Sequence, residues 1–409
     1  MKLKKYIGVL LAVFMSVSAF AIGCGKDDDM KKDDFDATKL PFYVSDADNI
    51  TYDYTDRQRL VPVWQTNVIY NEQLMITEKD GVTQGKLLYK PARVISVKDT
   101  TLKKEYEEGK DYVINGDIIT LPSGSSIPVF KDEWSKGINV PSAYPLGDAG
   151  TGYQMVGSLL YTESSLIWGN YIHVTYVYDP ADFDRDTVKK YDGELYGLEN
   201  KIKNKQDIKM TVFGDSISEG CSSSELWNHE PKCPPYAKLV KEGIEEFGGI
   251  NVELTNISVG GKDSSWASED AQLASLTASA PDLLIIGFGT NDAYSAVESG
   301  KYRRNIDKII ETAKSVNSEC QIILIAPFPS NDKTAESQEL IVSELKKVIS
   351  EDAKTEQWLD ICLVDMYHAV KPMLEKKNYY EISANNINHP NDFIHRYYAM
   401  NVLSAIFDF

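Results

Sequence analysis

The sequence is poor in basic residues and cysteine, and it has no apolar run long enough to be a confident membrane span. Its 409 residues carry 43 Lys and Arg against 61 Asp and Glu, a formal charge of −18. Such an acidic surface repels nucleic acid and anionic lipid headgroups, so we expect neither as a partner. The five cysteines and five histidines form no CxxC motif or metal-ligand cluster, and no GxGxxG follows a predicted strand. These absences argue against a metal site and a bound dinucleotide.

The first residues have the pattern of an export signal. Three lysines precede an apolar run over Ile7–Phe20, which ends in AIGC. This ending resembles the bacterial lipoprotein box, whose cysteine becomes the lipidated first residue of the mature protein. We therefore expect a signal peptide over residues 1–23, a lipid on Cys24 that anchors the protein to the membrane at the cell surface, and a flexible tether over residues 24–42. The alternative is an ordinary secretory signal cleaved near Ala21. The protein is exported in either case.

Four further cysteines follow the tether. Outside the cytosol an even number permits disulfides, with three possible pairings. A Cys221–Cys233 bridge would brace the loop that follows Ser216, and buried free thiols are the alternative. The four are Cys221, Cys233, Cys320 and Cys362.

The length suits two globular domains, and the first of them has the pattern of β-structure. Residues 43–180 contain short runs rich in Val, Ile and Tyr with partial alternation, and Asn115-Gly116 between two such runs predicts a hairpin. We expect an all-β, sandwich-like domain here, followed by a polar, helical connector over residues 181–207. The tryptophans of the domain either form a sugar-stacking face or pack in its core: they are Trp64, Trp134 and Trp168.

The pattern changes at Ile208 to alternating apolar strands and amphipathic helices. Five strands are predicted, in KMTVFGD, INVELTNIS, DLLIIGFGT, CQIILIAPF and ICLVDMY. Near-continuous apolar strands with crossover helices are typical of a parallel sheet covered on both faces. Residues 208–409 are therefore predicted to form an α/β domain with a five-stranded parallel sheet.

Four residues with catalytic potential stand at strand ends of this second domain or just before its last helix. Ser216 follows the first strand, Gly260 the second and Asn291 the third, and His389 precedes the final helix. A serine nucleophile needs a base, which histidine supplies near neutral pH. The backbone N–H groups of Ser216 and Gly260 and the amide of Asn291 can stabilise a tetrahedral oxyanion. The set predicts an acyl-transfer site.

These motifs resemble the blocks of the SGNH (GDSL-type) hydrolases. The matching segments are GDSIS with Ser216, NISVGG with Gly260, GTND with Asn291 and HPND with His389. The resemblance covers Ile208–Phe409, about half of the chain. It implies a flavodoxin-like sheet, ester hydrolysis through an acyl-enzyme, and no cofactor.

One position departs from the family pattern. The family carries an aspartate three residues before the histidine, and this chain has Asn386 there. An amide can orient the imidazole of His389 but cannot supply negative charge. Asp392, three residues after the histidine, is therefore the fallback candidate for the acid. The alternatives are a Ser–His dyad steadied by Asn386 or a backbone carbonyl, and a carboxylate brought in from elsewhere. His395 is the competing base, and its place inside the final helix favours a packing role.

Three aromatic residues near the motifs are candidates for substrate binding. Trp227 lies in the loop after Ser216, Trp266 follows the glycine pair, and Tyr294 follows Asn291. Loops at the carboxyl edge of such a sheet line the substrate crevice, so the rings could stack on a sugar. Loop packing is the alternative for each.

The leading hypothesis is a surface-anchored serine esterase that hydrolyses small acyl esters, acetyl above all, on a polysaccharide. The alternative enzyme is a lysophospholipase or short-chain lipid esterase, which would need a wide apolar groove. The alternative from another class is a catalytically inactive glycan-binding lipoprotein, since Asn386 replaces the expected acid. No feature of the sequence assigns an oligomeric state.

Overall fold

The computed structural model describes most of the chain after residue 34, over the ranges 35–46, 49–50, 57–144, 146, 152–188, 195–331, 335–352 and 360–409. The predicted signal peptide, Cys24 and the first part of the tether lie outside these ranges. Asp36–Phe409 forms one compact unit. Within the described ranges, no helix combines the length and the apolar character needed to cross a bilayer.

The N-terminal region is a mostly antiparallel β-domain, which confirms the prediction. Seven strands form a sheet with the path β3-β9-β1-β2-β5-β4, and β6 pairs in parallel with β1. A separate hairpin of β7 and β8 is followed by the short helix α1. The elements are β1 (Val68–Lys79), β2 (Val82–Lys86), β3 (Pro91–Asp99), β4 (Val113–Asn115), β5 (Ile118–Thr120), β6 (Val129–Lys131), β7 (Gln154–Val156), β8 (Leu159–Tyr161), α1 (Ser165–Trp168) and β9 (Tyr171–Tyr178).

The hairpin predicted at Asn115-Gly116 connects β4 and β5. Asn115 pairs with Ile118, so the two-residue turn consists of Gly116 and Asp117. Gly116 has φ +65°, a conformation that glycine adopts without the clash a Cβ would cause. The Asn-Gly signal therefore identified a real turn, displaced by one residue from the dipeptide.

Strand β1 is buried on both faces, although an antiparallel strand often has one face in water. Leu74 and Ile76 join the main core of the molecule, whereas Met75 packs on the opposite face. The cluster around Met75 includes Phe130 of β6 and Tyr380, which belongs to the C-terminal half of the chain. The second face of β1 is thus covered by other parts of the β-domain together with Tyr380 of the α/β domain.

The second domain is the predicted α/β domain. Its five strands are all parallel, in the order β11-β10-β12-β13-β14. The strands are β10 (Ile208–Gly214), β11 (Val252–Asn256), β12 (Leu283–Gly287), β13 (Gln321–Ile325) and β14 (Ile361–Val364). The helices are α2 (Tyr196–Lys203), α3 (Ser216–Glu219), α4 (Tyr236–Gly248), α5 (Ser264–Ala267), α6 (Asp270–Ser279), α7 (Thr290–Tyr294), α8 (Ser299–Val316), α9 (Ala335–Asp352), α10 (Met366–Val370) and α11 (Asp392–Ile406).

Helices cover both faces of this sheet, which explains why its strands are apolar throughout. Helices α4 and α11 share one core. Leu403 of α11 packs closely against Gly243 of α4, where a Cβ would lie only 2.4 Å from the leucine side chain. Helices α8 and α9 pack in the second core, through residues such as Ile306 and Leu345. The region predicted as a connector contributes helix α2, whose Leu198 is fully buried.

Candidate active site

The candidate nucleophile stands where β10 meets α3. Strand β10 ends at Gly214, where a Cβ would lie 2.5 Å from the carbonyl oxygen of Gly287 on β12, so this position requires glycine. The side chain of Asp215 caps α3 by accepting from the backbone N–H of Ile217 at 3.0 Å. Burial raises the pKa of Asp215 to about 7. The sharp strand-to-helix change places Ser216, 7% exposed, at the carboxyl edge of the sheet.

The structure brings Ser216 together with His389. Serine Oγ and imidazole Nε2 are 2.8 Å apart. The histidine sits in the loop before α11, and Asn385 organises this loop. Its side-chain oxygen accepts from the backbone N–H of three successive residues, at 2.9 to 3.0 Å. Ser383 Oγ donates to the carbonyl oxygen of His389 at 2.8 Å. These two side chains hold the backbone of the loop and thereby fix where the imidazole projects.

A third residue, Glu163, completes the arrangement. Its Oε1 lies 2.5 Å from Nδ1 of His389, and Ser222 Oγ donates to the same oxygen at 3.1 Å. Burial by itself would raise the pKa of Glu163, but the hydrogen bond and positive charge from His389, with bonds from Ser222 and Asn385, hold its pKa below that of an ordinary glutamate. An ionised Glu163 accepts a hydrogen bond from Nδ1–H, and the proton stays on the imidazole, which leaves Nε2 free to accept from Ser216. Ser216, His389 and Glu163 thus form a Ser–His–Glu triad.

Glu163 belongs to the β-domain, so sequence reasoning within the second domain could not find it. It lies between β8 and α1, where Ser164 caps the helix, and it is separated from His389 by 226 residues. The surrounding sequence, YTESSLIW, has no catalytic motif. The residue corresponds to the alternative of a carboxylate brought in from elsewhere.

The assignment of Asp392 as the acid is wrong. Asp392 opens α11, and its Oδ1 accepts from the backbone N–H of Ser224 at 2.8 Å instead of contacting the imidazole. Burial raises its pKa to about 7, and only the hydrogen bonds of Ser224 and the charge of Arg396 oppose this rise. Asp392 therefore ties the end of α11 to the loop that follows Ser216.

Asn386 does not orient the imidazole either. Its amide donates to the carbonyl oxygens of Ser135 and Leu160 in the β-domain, at 3.0 and 2.9 Å. It adopts φ +65° and is 1% exposed. Because Leu160 lies in β8, three residues before Glu163, these bonds hold the strand that delivers the acid next to the histidine loop.

His395, the competing base, has a packing role. The ring is fully buried, its Nε2 lies 3.1 Å from the carbonyl oxygen of Cys221, and its Nδ1 accepts from the backbone N–H of Tyr236. Burial lowers its pKa to about 4, so the imidazole is neutral at physiological pH.

Of the predicted oxyanion donors, Gly260 lies beside the nucleophile and Asn291 is tied to its loop. A Cβ on Gly260 would lie 3.6 Å from Cβ of Ser216, so the glycine backbone approaches the serine closely. The N–H of Gly260 donates to Oε2 of Glu219 at 2.7 Å. Asn291, in α7, donates through Nδ2 to the carbonyl oxygen of Lys262 at 2.9 Å, which ties it to the loop that carries Gly260. An amide nitrogen carries two hydrogens, so the second is available for an oxyanion.

A buried carboxylate, Asp292, ties together the two segments that carry these donors. Asp292 accepts from the backbone N–H of Ser264 at 3.1 Å and from its hydroxyl, and the amide of Asn305 donates to that hydroxyl at 2.9 Å. Burial raises the pKa of Asp292 to about 6. The network fixes the start of α5, and thereby the loop of Gly260, against α7.

The aromatic candidates divide into exposed and packed rings. Trp227 and Tyr294 are 45% and 38% exposed. Trp266 packs edge-on against Phe213 of β10, with ring centroids 6.1 Å apart, so it belongs partly to the core. Trp168 of α1 stacks on the ring of His229 at 3.9 Å, which joins the β-domain to the loop after Ser216.

The four described cysteines, Cys221, Cys233, Cys320 and Cys362, are all free thiols. In the part of the chain that the structure describes, no group of three or more His, Cys, Asp or Glu side chains could hold a metal ion.

Comparison with known proteins gives one family. The model of the GDSL-like lipase/acylhydrolase family matches residues 212–397. This range contains Ser216, Gly260, Asn291 and His389, whereas Glu163 lies outside it. Among curated proteins, none matches the chain.

Several solved structures are similar to this chain. A two-domain esterase active on acetylated mannans, co-crystallised with mannopentaose, shares 20% identity over 53% of this chain and 54% of its own, with a TM-score of 0.41. An acetylxylan esterase from Geobacillus stearothermophilus shares 19% identity over 49% of this chain and 95% of its own, with a TM-score of 0.39. The chain thus spans about half the length of the first of these proteins.

Proposed function

We propose that this chain, in which residues 212–397 form a GDSL-like lipase/acylhydrolase domain, is a surface-anchored serine esterase that removes small acyl groups, acetyl above all, from a polysaccharide. The domain is a carboxylic ester hydrolase. The observation that carries the proposed mechanism is the continuous chain of contacts from Ser216 Oγ through His389 to Glu163, at 2.8 and 2.5 Å. This chain of contacts also argues against the inactive glycan-binding alternative, since an acid is present.

In the first half of the reaction, Ser216 Oγ attacks the ester carbonyl carbon while His389 Nε2 takes the hydroxyl proton. The carbonyl oxygen becomes an oxyanion stabilised by N–H groups of Gly260 and Asn291. Glu163 stabilises the imidazolium through its Nδ1–H. The C–O bond to the alcohol then breaks, and His389 returns its proton to the departing sugar oxygen.

In the second half, water hydrolyses the acyl-enzyme. His389 removes a proton from the water as its oxygen attacks the acyl carbon, and a second oxyanion forms at the same donors. Collapse of this intermediate releases the carboxylic acid and returns the proton to Ser216 Oγ. The triad regains its starting state without a cofactor.

Two features of the chain support a neutral polysaccharide as the alcohol part. Trp227 and Tyr294 expose their rings on the loop after Ser216 and beside Asn291, positions suited to stacking on sugars. The formal charge of −18 disfavours anionic lipid surfaces as substrates.

The proposed location at the cell surface rests on the sequence. A short apolar run ending in AIGC precedes Cys24, and a charged segment follows it. A lipid on Cys24 would tether the domain near extracellular glycans.

The proposal predicts acetate release from acetylated xylan or mannan, and p-nitrophenyl ester hydrolysis that falls as the acyl chain lengthens from acetyl to decanoyl. Ser216→Ala should lower kcat to less than about a thousandth of wild type. Ser218→Ala is the matched control, because its buried hydroxyl lies on the same helix and bonds only to Tyr236 OH among the contacts described. It should retain activity within about fivefold.

Maximal turnover of decanoyl esters without acetate release from glycans would refute the substrate class, and an active Ser216→Ala would refute the nucleophile.

A further inference from the structure

The side chain of Glu219 occupies one of the donors that the reaction needs. Glu219 lies three residues after Ser216 on α3, so both side chains project from one side of this single helical turn. Its Oε2 accepts from the N–H of Gly260 at 2.7 Å, a short, charge-assisted hydrogen bond. A Cβ on Gly260 would lie 3.0 Å from this oxygen and 3.6 Å from Cβ of Ser216. The carboxylate therefore sits beside the nucleophile.

This bond conflicts with catalysis. The N–H of Gly260 is a predicted oxyanion donor, and it cannot direct its hydrogen at Glu219 and fully at a tetrahedral oxygen at once. A carboxylate and an oxyanion that approach the same donor also repel each other. For the donor to act, the side chain of Glu219 must leave. The side chain of Glu219 can move away because it is exposed to solvent and long enough to adopt other rotamers.

We propose that Glu219 is an autoinhibitory competitor: its carboxylate fills the oxyanion site of the free protein and is displaced when an ester binds. The inference rests on the proposed function, because the competition matters only if an oxyanion forms at Gly260. Removing the carboxylate leaves the donor open, so the transition state no longer displaces a charged ligand. Glu219 thus lowers the rate for every ester and repels anionic species from the site.

Glu219→Ala and Glu219→Val test this role, because neither side chain can accept a hydrogen bond from the N–H of Gly260. Each variant should raise kcat/KM for p-nitrophenyl acetate by about three- to tenfold, a fraction of the 10²–10³-fold that one oxyanion donor is worth, since the exposed carboxylate is easily moved. The matched control is Glu225→Gln. Glu225 lies in the loop that follows and pairs with Lys238 instead of an oxyanion donor, so its loss should leave kcat/KM unchanged within twofold.

A binding measurement separates competition from any effect on turnover. Methylboronic acid adds to Ser216 Oγ as a tetrahedral anion whose oxygen occupies the oxyanion site, while His389 takes the serine proton. Its dissociation constant, measured by calorimetry, should fall at least threefold in both Glu219 variants and stay unchanged in Glu225→Gln. An unchanged or higher constant in the Glu219 variants overturns the inference.

The proposed function and this inference fail in different ways. Tighter boronate binding in the variants, combined with no release of acetate from glycans, would leave the competitor role standing and refute the proposed substrate. Absence of boronate binding in every protein would overturn the acyl-transfer site itself, and with it the role of Glu219.

Discussion

At the scale of single residues, the candidate active site is completed by one carboxylate, Glu163. Glu163 takes the place of the aspartate expected three residues before the histidine, where Asn386 stands instead. Its lowered pKa means that the Glu163 carboxyl is ionised at neutral pH. The hydroxyl of Ser222 holds its orientation, and Ser222 adopts φ +66°, an uncommon conformation for a residue with a Cβ.

Glu163→Gln should lower kcat/KM for p-nitrophenyl acetate by about 10²–10⁴-fold, because an amide cannot stabilise the imidazolium and can impose the wrong tautomer on His389. The loss should appear mainly in kcat. A pH series adds a second readout. Since the folded pKa of Glu163 is lowered, its pairing contributes to stability above pH 4.5 and is lost as the pH falls through that lowered pKa.

The stability difference between wild type and Glu163→Gln, measured by urea unfolding, should therefore be largest above pH 4.5 and shrink in more acidic solution. A variant with near-normal kcat would show that Glu163 is not the acid, and would return the choice to a Ser–His dyad.

Asp392→Asn should behave in the opposite way, with kcat/KM within about twofold of wild type. The amide oxygen can still accept from the N–H of Ser224, and the buried charge disappears. The native state holds a proton on Asp392 up to about pH 7, whereas the unfolded chain releases it near pH 3.8, so this group makes wild type less stable as pH rises between those values.

In Asp392→Asn, the free energy of unfolding lacks this decline with rising pH. Relative to wild type, its free energy of unfolding should rise from pH 4 to pH 8 by up to about 4 kcal/mol, at about 1.4 kcal/mol for each unit of pKa shift. Urea unfolding at the two pH values measures this. A fall in kcat by several orders of magnitude would instead reinstate Asp392 as a catalytic acid.

At the scale of elements, the site is built where loops are tied to one another by buried side chains. Asn385 organises the histidine loop, Asp392 joins α11 to the loop after Ser216, and Asp292 joins α7 to the start of α5. Each of these groups is at most 4% exposed. The catalytic groups themselves sit on loops, and these three residues give the loops the rigidity that positioning requires.

At the scale of the whole molecule, the two domains share one active site and a buried polar interface. Glu72 of β1 pairs with Lys377 of the α/β domain, and the two side chains are 0% and 1% exposed. Tyr171 OH donates to the carbonyl oxygens of Tyr380 and Ser383, at 2.8 and 3.1 Å. The β-domain therefore supplies the carboxylate that contacts His389 and also supports the segment that leads to this histidine.

Lys377→Met should destabilise the protein by about 3–5 kcal/mol, because it leaves the carboxylate of Glu72 buried and without its cation. Lys376→Met is the matched control. Lys376 is an exposed residue that donates to the carbonyl oxygen of Leu88, so its loss should cost about 1 kcal/mol. Urea unfolding measures both. If both variants lose the same free energy of unfolding, the buried Glu72–Lys377 pair contributes no more to stability than an exposed lysine does.

The sequence by itself determined the architecture and most of the site. Apolar runs and crossover helices define a parallel sheet, and the carboxyl ends of parallel strands meet at one edge. Residues that follow neighbouring strands therefore converge, and Ser216 and Gly260 do so in the structure, with Asn291 tied to the glycine loop. His389 could be placed because it precedes the last helix within a recognisable motif.

Only the tertiary structure decided which carboxylate meets His389, what Asn386 does, and where Glu219 points. The physical reason is that these contacts depend on packing between distant segments and not on local periodicity. Glu163 reaches the imidazole because β8 is held by Asn386 from the other domain, 226 residues along the chain. A short polar stretch such as YTESS has no pattern that encodes a partner so far away, so the acid emerged from the fold of both domains together.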